Sequence, residues 1–235
     1  MPDGQIIVTG ASRGIGAAIA TDLARRGFAV VGLSRSGTSA AGRGVACDVT
    51  DEASVAAAIR GIAAQASLIG LVNNAGAHTA RPSAALSAAE FEETIRLNAT
   101  AALVAAREAH PHLAAAGGGL IVNIGSFFDK LGVPSSLAYC ASKAAVGAIT
   151  RCLAAEWARD RIRVMNVAPG YIETDLNRDF LGKDKIRAWL DKRVPLGRAG
   201  QVDEVARIVG ALFAEDIGYL TGETIYLDGG QGMFL

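Results

Sequence analysis

The sequence predicts one α/β domain with a doubly wound sheet of about seven mostly parallel strands and helices on both faces. Three observations predict it. Short runs rich in Val and Ile recur from end to end, helical patterns fall between them, and a glycine-rich turn joins the first run to the first helix. The runs are QIIVTG, FAVVGL, GVACDV, LIGLVNNAG, LIVNIGS, IRVMNVAPG and ETIYLDGG, bounded by Gly, Asn, Asp or Pro. They are continuously apolar rather than alternating, which fits parallel strands buried on both faces. The longest helical patterns lie near 15–26, 88–115, 138–159 and 202–214. Strand–helix alternation of this kind builds a doubly wound sheet. No linker, repeat or low-complexity tract divides the 235 residues, so one domain over 1–235 is expected.

Two places break the rhythm. Between the second and third strands, SRSGTSAAGRG is short and rich in Gly and Ser, so a crossover helix looks missing or stunted. The stretch 172–194, with NRDFLGKDKIRAWLDKR, is polar, charged and too long for a tight loop. It follows a strand end, where a substrate lid sits.

Bulk numbers narrow the function classes. Hydrophobic residues make up 51% and charged residues 20%, a globular composition. Lys+Arg and Asp+Glu are both 23, so net charge gives no reason to expect a nucleic-acid or membrane partner. No run of about 18 apolar residues predicts a membrane span. The start, MPDGQIIVTG, lacks the basic-then-apolar pattern of a signal peptide. Cys47, Cys140 and Cys152 are odd in number and lack CxxC spacing, so reduced thiols and a cytoplasmic location are expected. His78, His110 and His112 lack metal-ligand spacing. They read as surface or loop residues, and no metal is expected.

VTGASRGIG ends the first strand and opens the first helix. Gly10, Gly14 and Gly16 let the backbone turn tightly and approach a pyrophosphate, and the helix N-terminus offers N–H groups. Ser12, Arg13 and Ile15 complete this turn and share the expected cofactor contact. This is the beginning of a Rossmann-type dinucleotide site. An NAD site carries an Asp or Glu about 20 residues on. Here GLSRSG puts Ser34 near that place, with Arg35 next. Without a carboxylate nothing repels a 2′-phosphate, and a guanidinium binds one well, so NADP(H) is expected over NAD(H). Arg13 is a candidate second cation. In ACDVTD, Asp48 ends the third strand beside the turn and is assigned to the adenine, with Val49 a further expected cofactor contact. Helix capping is the other reading of Asp48, although Thr50 or Asp51 can also cap. In VNNAG, Asn73 and Asn74 need partners at a buried strand end, with Ala75 and Gly76 following. They tie neighbouring strands, shape the ribose-binding backbone, or both.

Ser126 ends the fifth strand, Tyr139 follows thirteen residues later, and Lys143 lies one helical turn beyond. The i,i+4 spacing puts Tyr139 and Lys143 on one face. An ammonium near a phenol favours the phenolate and makes the tyrosine a usable acid or base. Ser126 is placed to hydrogen-bond the same carbonyl oxygen. Alone, Y-x-x-x-K reads first as a packed tyrosine with a snorkelling lysine.

Together, TGASRGIG, NNAG, IVNIGS, YCASK and APGYIETD resemble, in order and spacing, the short-chain dehydrogenases/reductases. The resemblance runs to YLTGETIYLDGG near the C-terminus. It implies that Tyr139 gives and takes the proton, that Lys143 binds the nicotinamide ribose and lowers the tyrosine pKa, and that Ser126 orients substrate. It makes Asn98, in TIRLNATAAL, the fourth member of the set, holding a proton-relay water. On its residues alone Asn98 is only a polar residue in an apolar helix that needs a partner. By the same resemblance Pro169 and Gly170 turn the chain, the Ile172 backbone contacts the cofactor, and Thr174 bonds the nicotinamide carboxamide. GYIETDLNRD and the C-terminal motifs look most like β-ketoacyl-carrier-protein reductases, and Arg178 would meet an acidic carrier. The stretch AAAGGGL departs from that pattern by lacking a basic residue. Phe127 and Phe128 suggest an apolar wall or packing under the lid. A non-catalytic NADP(H)-binding sensor is the other class of reading. The resemblance further implies a homotetramer or homodimer through the long helices near 88–115 and 138–159, and a small carbonyl or alcohol as substrate.

Overall fold

Strands β1 (Gln5–Thr9), β2 (Ala29–Ser34), β3 (Arg43–Ala46), β4 (Leu68–Asn73), β5 (Gly119–Ile124), β6 (Ile162–Pro169) and β9 (Thr224–Leu227) pair in the order β3-β2-β1-β4-β5-β6-β9. Every pairing is parallel, one step beyond the mostly parallel sheet expected. The computed structural model describes residues 4–175 and 177–233. A separate two-residue pair joins β7 (Ile172–Glu173) to β8 (Gly200–Gln201).

The alternating faces of these strands make two cores. Ile6 and Val8 point to one face, with Val122 and Val167, and pack against α1 (Gly14–Arg25) and α8 (Val202–Ala214) through Ile19, Leu23, Val205 and Val209. Ile7 points to the other face, with Leu71, Ile121 and Val164. There α2 (Glu52–Ala63), α4 (Ala101–Ala115) and α5 (Leu137–Trp157) supply Val55, Ile59, Ala105, Leu113 and Leu153. Each fully buried aliphatic side chain of this kind contributes about 2 kcal/mol.

The connection from β2 to β3 is only residues 35–42 and has no helix, as the sequence predicts. It lies flat on β2: a Cβ at Gly32 would stand 2.2 Å from Ser39 Oγ. Such close passage lets so short a segment return the chain to a parallel neighbour.

One expectation needs correction. The pattern over 88–115 is not a single helix. It is α3 (Ala88–Ile95), one turn of π-helix over Arg96–Thr100, and α4. The wide turn carries Asn98, whose side chain reaches across to the chain after β4. Turns of this kind cluster at functional sites. The 172–194 stretch holds β7, α6 (Arg178–Leu181) and α7 (Asp184–Arg193), apart from Leu176, which lies outside the described residues. These helices pack through their own small cluster of Leu181, Leu190 and Val194, joined by Tyr171 and Ile186. Among the described residues no helix is long and apolar enough to cross a membrane.

Candidate active site

The carboxyl ends of β1, β4, β5 and β6 meet at the centre of the sheet, where the strand order reverses, the usual ligand crevice of such folds. Each end is built by close backbone contact. Gly10 has φ +69°, and a Cβ there would stand 2.9 Å from Asn74 Nδ2. A Cβ at Gly16 would stand 2.3 Å from the Gly10 carbonyl oxygen. Asn74 Nδ2 donates to the carbonyls of Thr9 (3.0 Å) and Gly10 (3.3 Å), and Thr9 Oγ1 accepts from the backbone N–H groups of Asn74 (2.9 Å) and Ala75 (3.0 Å). Of the roles open to the two asparagines, tying neighbouring strands is the one seen directly. Asn74 shapes the glycine-rich turn, while Asn73 ties β4 to β5 by donating to Asn123 Oδ1 at 2.9 Å.

The turn fits a dinucleotide. Arg13, the N-cap of α1, makes no side-chain cap bond, so no side chain of its own covers those first N–H groups. Ser12 and Arg13 are exposed, and Gly14 and Ile15 are half-buried. A Cβ at Gly14 would meet only Thr174 Cγ2, at 3.8 Å, so that face is open and Thr174 stands across from it. Ile172 is buried and pairs through its backbone with Gly200. Pro169 pairs with Leu227, and the Gly170 N–H donates to the Leu227 carbonyl at 2.9 Å, fixing the exit of β6.

Ser34 is buried, and its hydroxyl donates to the Thr38 carbonyl at 2.7 Å, stiffening the β2–β3 connection. Arg35 is exposed. Asp48 does not cap α2; Asp51 does, accepting from the Ala53 N–H at 3.1 Å. The Thr50 backbone N–H and hydroxyl hold the Asp48 carboxyl below its ordinary range, and Arg35 and Arg96 pull it the same way. Val49, Ala75 and Asn98 line one small cavity with Thr9 and Asn73.

Tyr139 and Lys143 lie in the first turns of α5, beside Ser126 at the end of β5. Lys143 is buried, and its ammonium donates to the Ile124 carbonyl at 2.8 Å. Burial pulls its pKa down to about 8. Its Nζ stands 5.7 Å from the centre of the Tyr139 ring. Burial raises the Tyr139 pKa, with the Ser126 hydroxyl pulling the other way. The expected lowering by the lysine is not among the causes of this shift, which removal from water dominates.

Asn98 finds the partner its position demanded. Its Oδ1 accepts from the Ala77 N–H at 2.9 Å, and its Nδ2 donates to the Ala77 carbonyl at 2.9 Å and to Ser142 Oγ at 3.1 Å. Ser142 in turn donates to the Tyr139 carbonyl at 2.7 Å. One of the small residues between Tyr139 and Lys143 thus links Asn98 to the tyrosine's own turn. A Cβ at Gly76 would meet Asn98 Oδ1 at 3.0 Å and Lys143 Nζ at 3.8 Å, so Gly76 lies against both.

Two contacts escape the sequence. His78, expected as a surface or loop residue, is exposed and in a loop, and its ring also stands edge-on to Tyr139 at 4.8 Å. Its Nε2 bonds Ser136 Oγ at 3.0 Å, and the N-cap hydroxyl of α5 makes no cap bond. Phe127 and Phe128 are buried and pack on Tyr171, and Phe128 also meets Tyr139, which bears out the packing reading. The only advance signal for His78 is its place directly after NNAGA.

Known proteins resemble this chain over nearly its whole length. A family model described as enoyl-(acyl carrier protein) reductase matches residues 10–231. Cis-4-hydroxycyclohexanecarboxylate dehydrogenase of Sinomonas cyclohexanicum is 39% identical over 237 residues, covering 95% of this chain and 94% of its own. The 3-oxoacyl-(acyl-carrier-protein) reductase FabG of Escherichia coli K12 is 35% identical over 242 residues, covering 98% of each chain. The crystal structure of a gluconate 5-dehydrogenase from Burkholderia cenocepacia, in complex with NADP and tartrate, has a TM-score of 0.91 at 33% identity, covering 99% of this chain and 96% of its own. Similarity of this order over nearly the whole length shows that the chain belongs to the short-chain dehydrogenase/reductase family, oxidoreductases acting on alcohol and carbonyl groups.

Proposed function

We propose that this enzyme is an NADP(H)-dependent oxidoreductase that interconverts a carbonyl compound and its secondary alcohol, with Tyr139 as the general acid and base. The observation that carries the reading is the meeting of Tyr139, Ser126, Lys143 and Asn98 beside the glycine-rich turn. When bound, the cofactor supplies or accepts the hydride. In reduction, the Tyr139 hydroxyl gives its proton to the carbonyl oxygen, and Ser126 donates a hydrogen bond to the same oxygen as charge develops there. Lys143, anchored on Ile124, holds the ribose and favours the phenolate left behind. Asn98 fixes the Ala77 backbone and the first turn of α5 relative to each other, and serves the proton relay. In oxidation the same groups run in reverse.

The turn from Gly10 to Gly16, with Ser12, Arg13 and Ile15, takes the pyrophosphate. Asp48 and Val49 flank the adenine, Asn74, Ala75 and Gly76 the ribose, and Pro169, Gly170, Ile172 and Thr174 the nicotinamide. Ser34 and Arg35 in place of a carboxylate support NADP(H), as does the NADP in the Burkholderia relative. The relatives act on different carbon skeletons, so the family does not choose the substrate. Arg178, the candidate carrier-protein contact, is held by Glu173 (3.1 Å) and Asp175 (2.8 Å), which favours a small carbonyl or alcohol over a carrier-bound thioester. We place the activity in one cytoplasmic domain with 172–194 as its lid. Exposed Leu103 on α4 and Leu137 on α5 support assembly into a homotetramer or homodimer through these helices.

Cofactor choice is tested by titrating NADPH and NADH into wild type and Arg35→Asp. NADPH affinity is expected to fall about a hundredfold and NADH affinity to change little. Equal losses would remove the 2′-phosphate role.

A further inference from the structure

The surroundings of the Tyr139 ring are themselves rings. His78 meets it at 4.8 Å between centroids and 73°, and Phe128 meets it at 5.8 Å and 84°. Phe128 and His78 stand 6.1 Å apart, so the three rings share one corner. Behind them Tyr171 touches Phe127 and Phe128, and Trp189 of α7 touches Tyr171 at 5.3 Å. A continuous aromatic row thus runs from the phenol to the helices of 172–194.

The charged residues next along the chain are engaged elsewhere. The Tyr226 hydroxyl lies 3.0 and 3.1 Å from the two Asp129 carboxylate oxygens, and Lys130 Nζ lies 3.6 Å from the centre of the Tyr226 ring. His78 spends Nε2 on Ser136, and partial burial favours its neutral form. Ring edges and faces attract a further ring, offset or edge-on. They offer little to a row of hydroxyls, and each hydroxyl buried without a partner weakens binding.

We propose that this corner holds the substituent of the substrate, and that it selects carbonyl compounds bearing an apolar ring at or around the carbonyl carbon over polyhydroxylated ketones. Phe128 and His78 are the residues that set the preference. The inference rests on Tyr139 being the proton donor, since the corner is defined around its ring.

Initial rates of NADPH consumption with cyclohexanone, acetophenone and erythrulose test it, in wild type, Phe128→Ala, Phe128→Leu and His78→Asn. Fluorescence titration of NADPH into each variant reads cofactor binding separately. The expected result is a kcat/KM for the ring ketones at least about tenfold above that for erythrulose. Phe128→Ala should narrow that ratio about tenfold and Phe128→Leu less, with NADPH affinity unchanged. Preference for erythrulose in wild type, or an unchanged ratio in both Phe128→Leu and His78→Asn, contradicts the inference and leaves the oxidoreductase reading standing. NADPH binding with no turnover of any of the three ketones contradicts both.

Discussion

Lys143 is the group on which the residue-scale account turns. Its ammonium is buried and holds a single backbone carbonyl, and burial brings its pKa to about 8 from the ordinary 10.5. In the proposed mechanism reduction needs this charge beside the phenolate, so activity should decline as pH rises through about 8, and the decline should be read from kcat in saturating NADPH. The stability consequence has a definite sign. Between about pH 8 and 10.5 the unfolded chain holds the lysine proton and the folded chain does not, so stability rises with pH across that window. Urea denaturation of wild type against Lys143→Met should show wild type gaining about 2 kcal/mol relative to the variant from pH 8 to pH 10. A difference that does not change with pH would contradict the burial of a charged lysine. The Tyr139–Lys143 pair is legible in the sequence because a spacing of four on a helix fixes a shared face. His78 and Ser142 are not legible as site residues, because their partners Ser136 and Asn98 come from other elements. Asn98 sits between these cases: its polarity shows that it needs a partner, and only the family resemblance gives it a role.

At the scale of elements, the helix N-termini differ in how they are closed. The sequence SAAE at 87–90 forms a capping box on α3, with Ser87 and Glu90 exchanging backbone bonds. Ser87→Ala should lower stability by about 1 kcal/mol in urea denaturation without altering NADPH affinity. The start of α1 is different, because no side chain of its N-cap closes it and its glycines set its distance from the sheet. Gly16→Ala places a Cβ 2.3 Å from the Gly10 carbonyl oxygen, so α1 or the turn must move. NADPH affinity should fall at least about tenfold, measured by fluorescence titration, with helix content by circular dichroism retained. The strand runs and these caps are readable as local patterns. The π turn at Arg96–Thr100 is not, since the apolar spacing over 88–115 continues through it and only the tie from Asn98 to Ala77 reveals why the helix widens there.

In the whole molecule, the proposed mechanism has one sheet serve both cofactor and chemistry. Alternate residues of each central strand feed two separate cores, and this rigid double-sided packing leaves the carboxyl ends of β1, β4 and β5 as the place where functional groups collect. The doubly wound class and the absence of a β2–β3 helix follow from the sequence, because strand–helix alternation implies parallel crossovers and the short Gly/Ser segment has no room for a helix, whereas the strand order comes from the structure. The aromatic corner does not follow, since it joins residues far apart in the chain: His78 in a loop, Phe128 in a 3-10 turn and Tyr139 on α5. The central claim is that Tyr139 moves the proton while the fold holds the cofactor independently of it. The direct measurement compares ketone-dependent NADPH oxidation and NADPH affinity in wild type and Tyr139→Phe. The account predicts turnover reduced by about a thousandfold or more with NADPH affinity within about twofold of wild type. Near-wild-type turnover in Tyr139→Phe would contradict it.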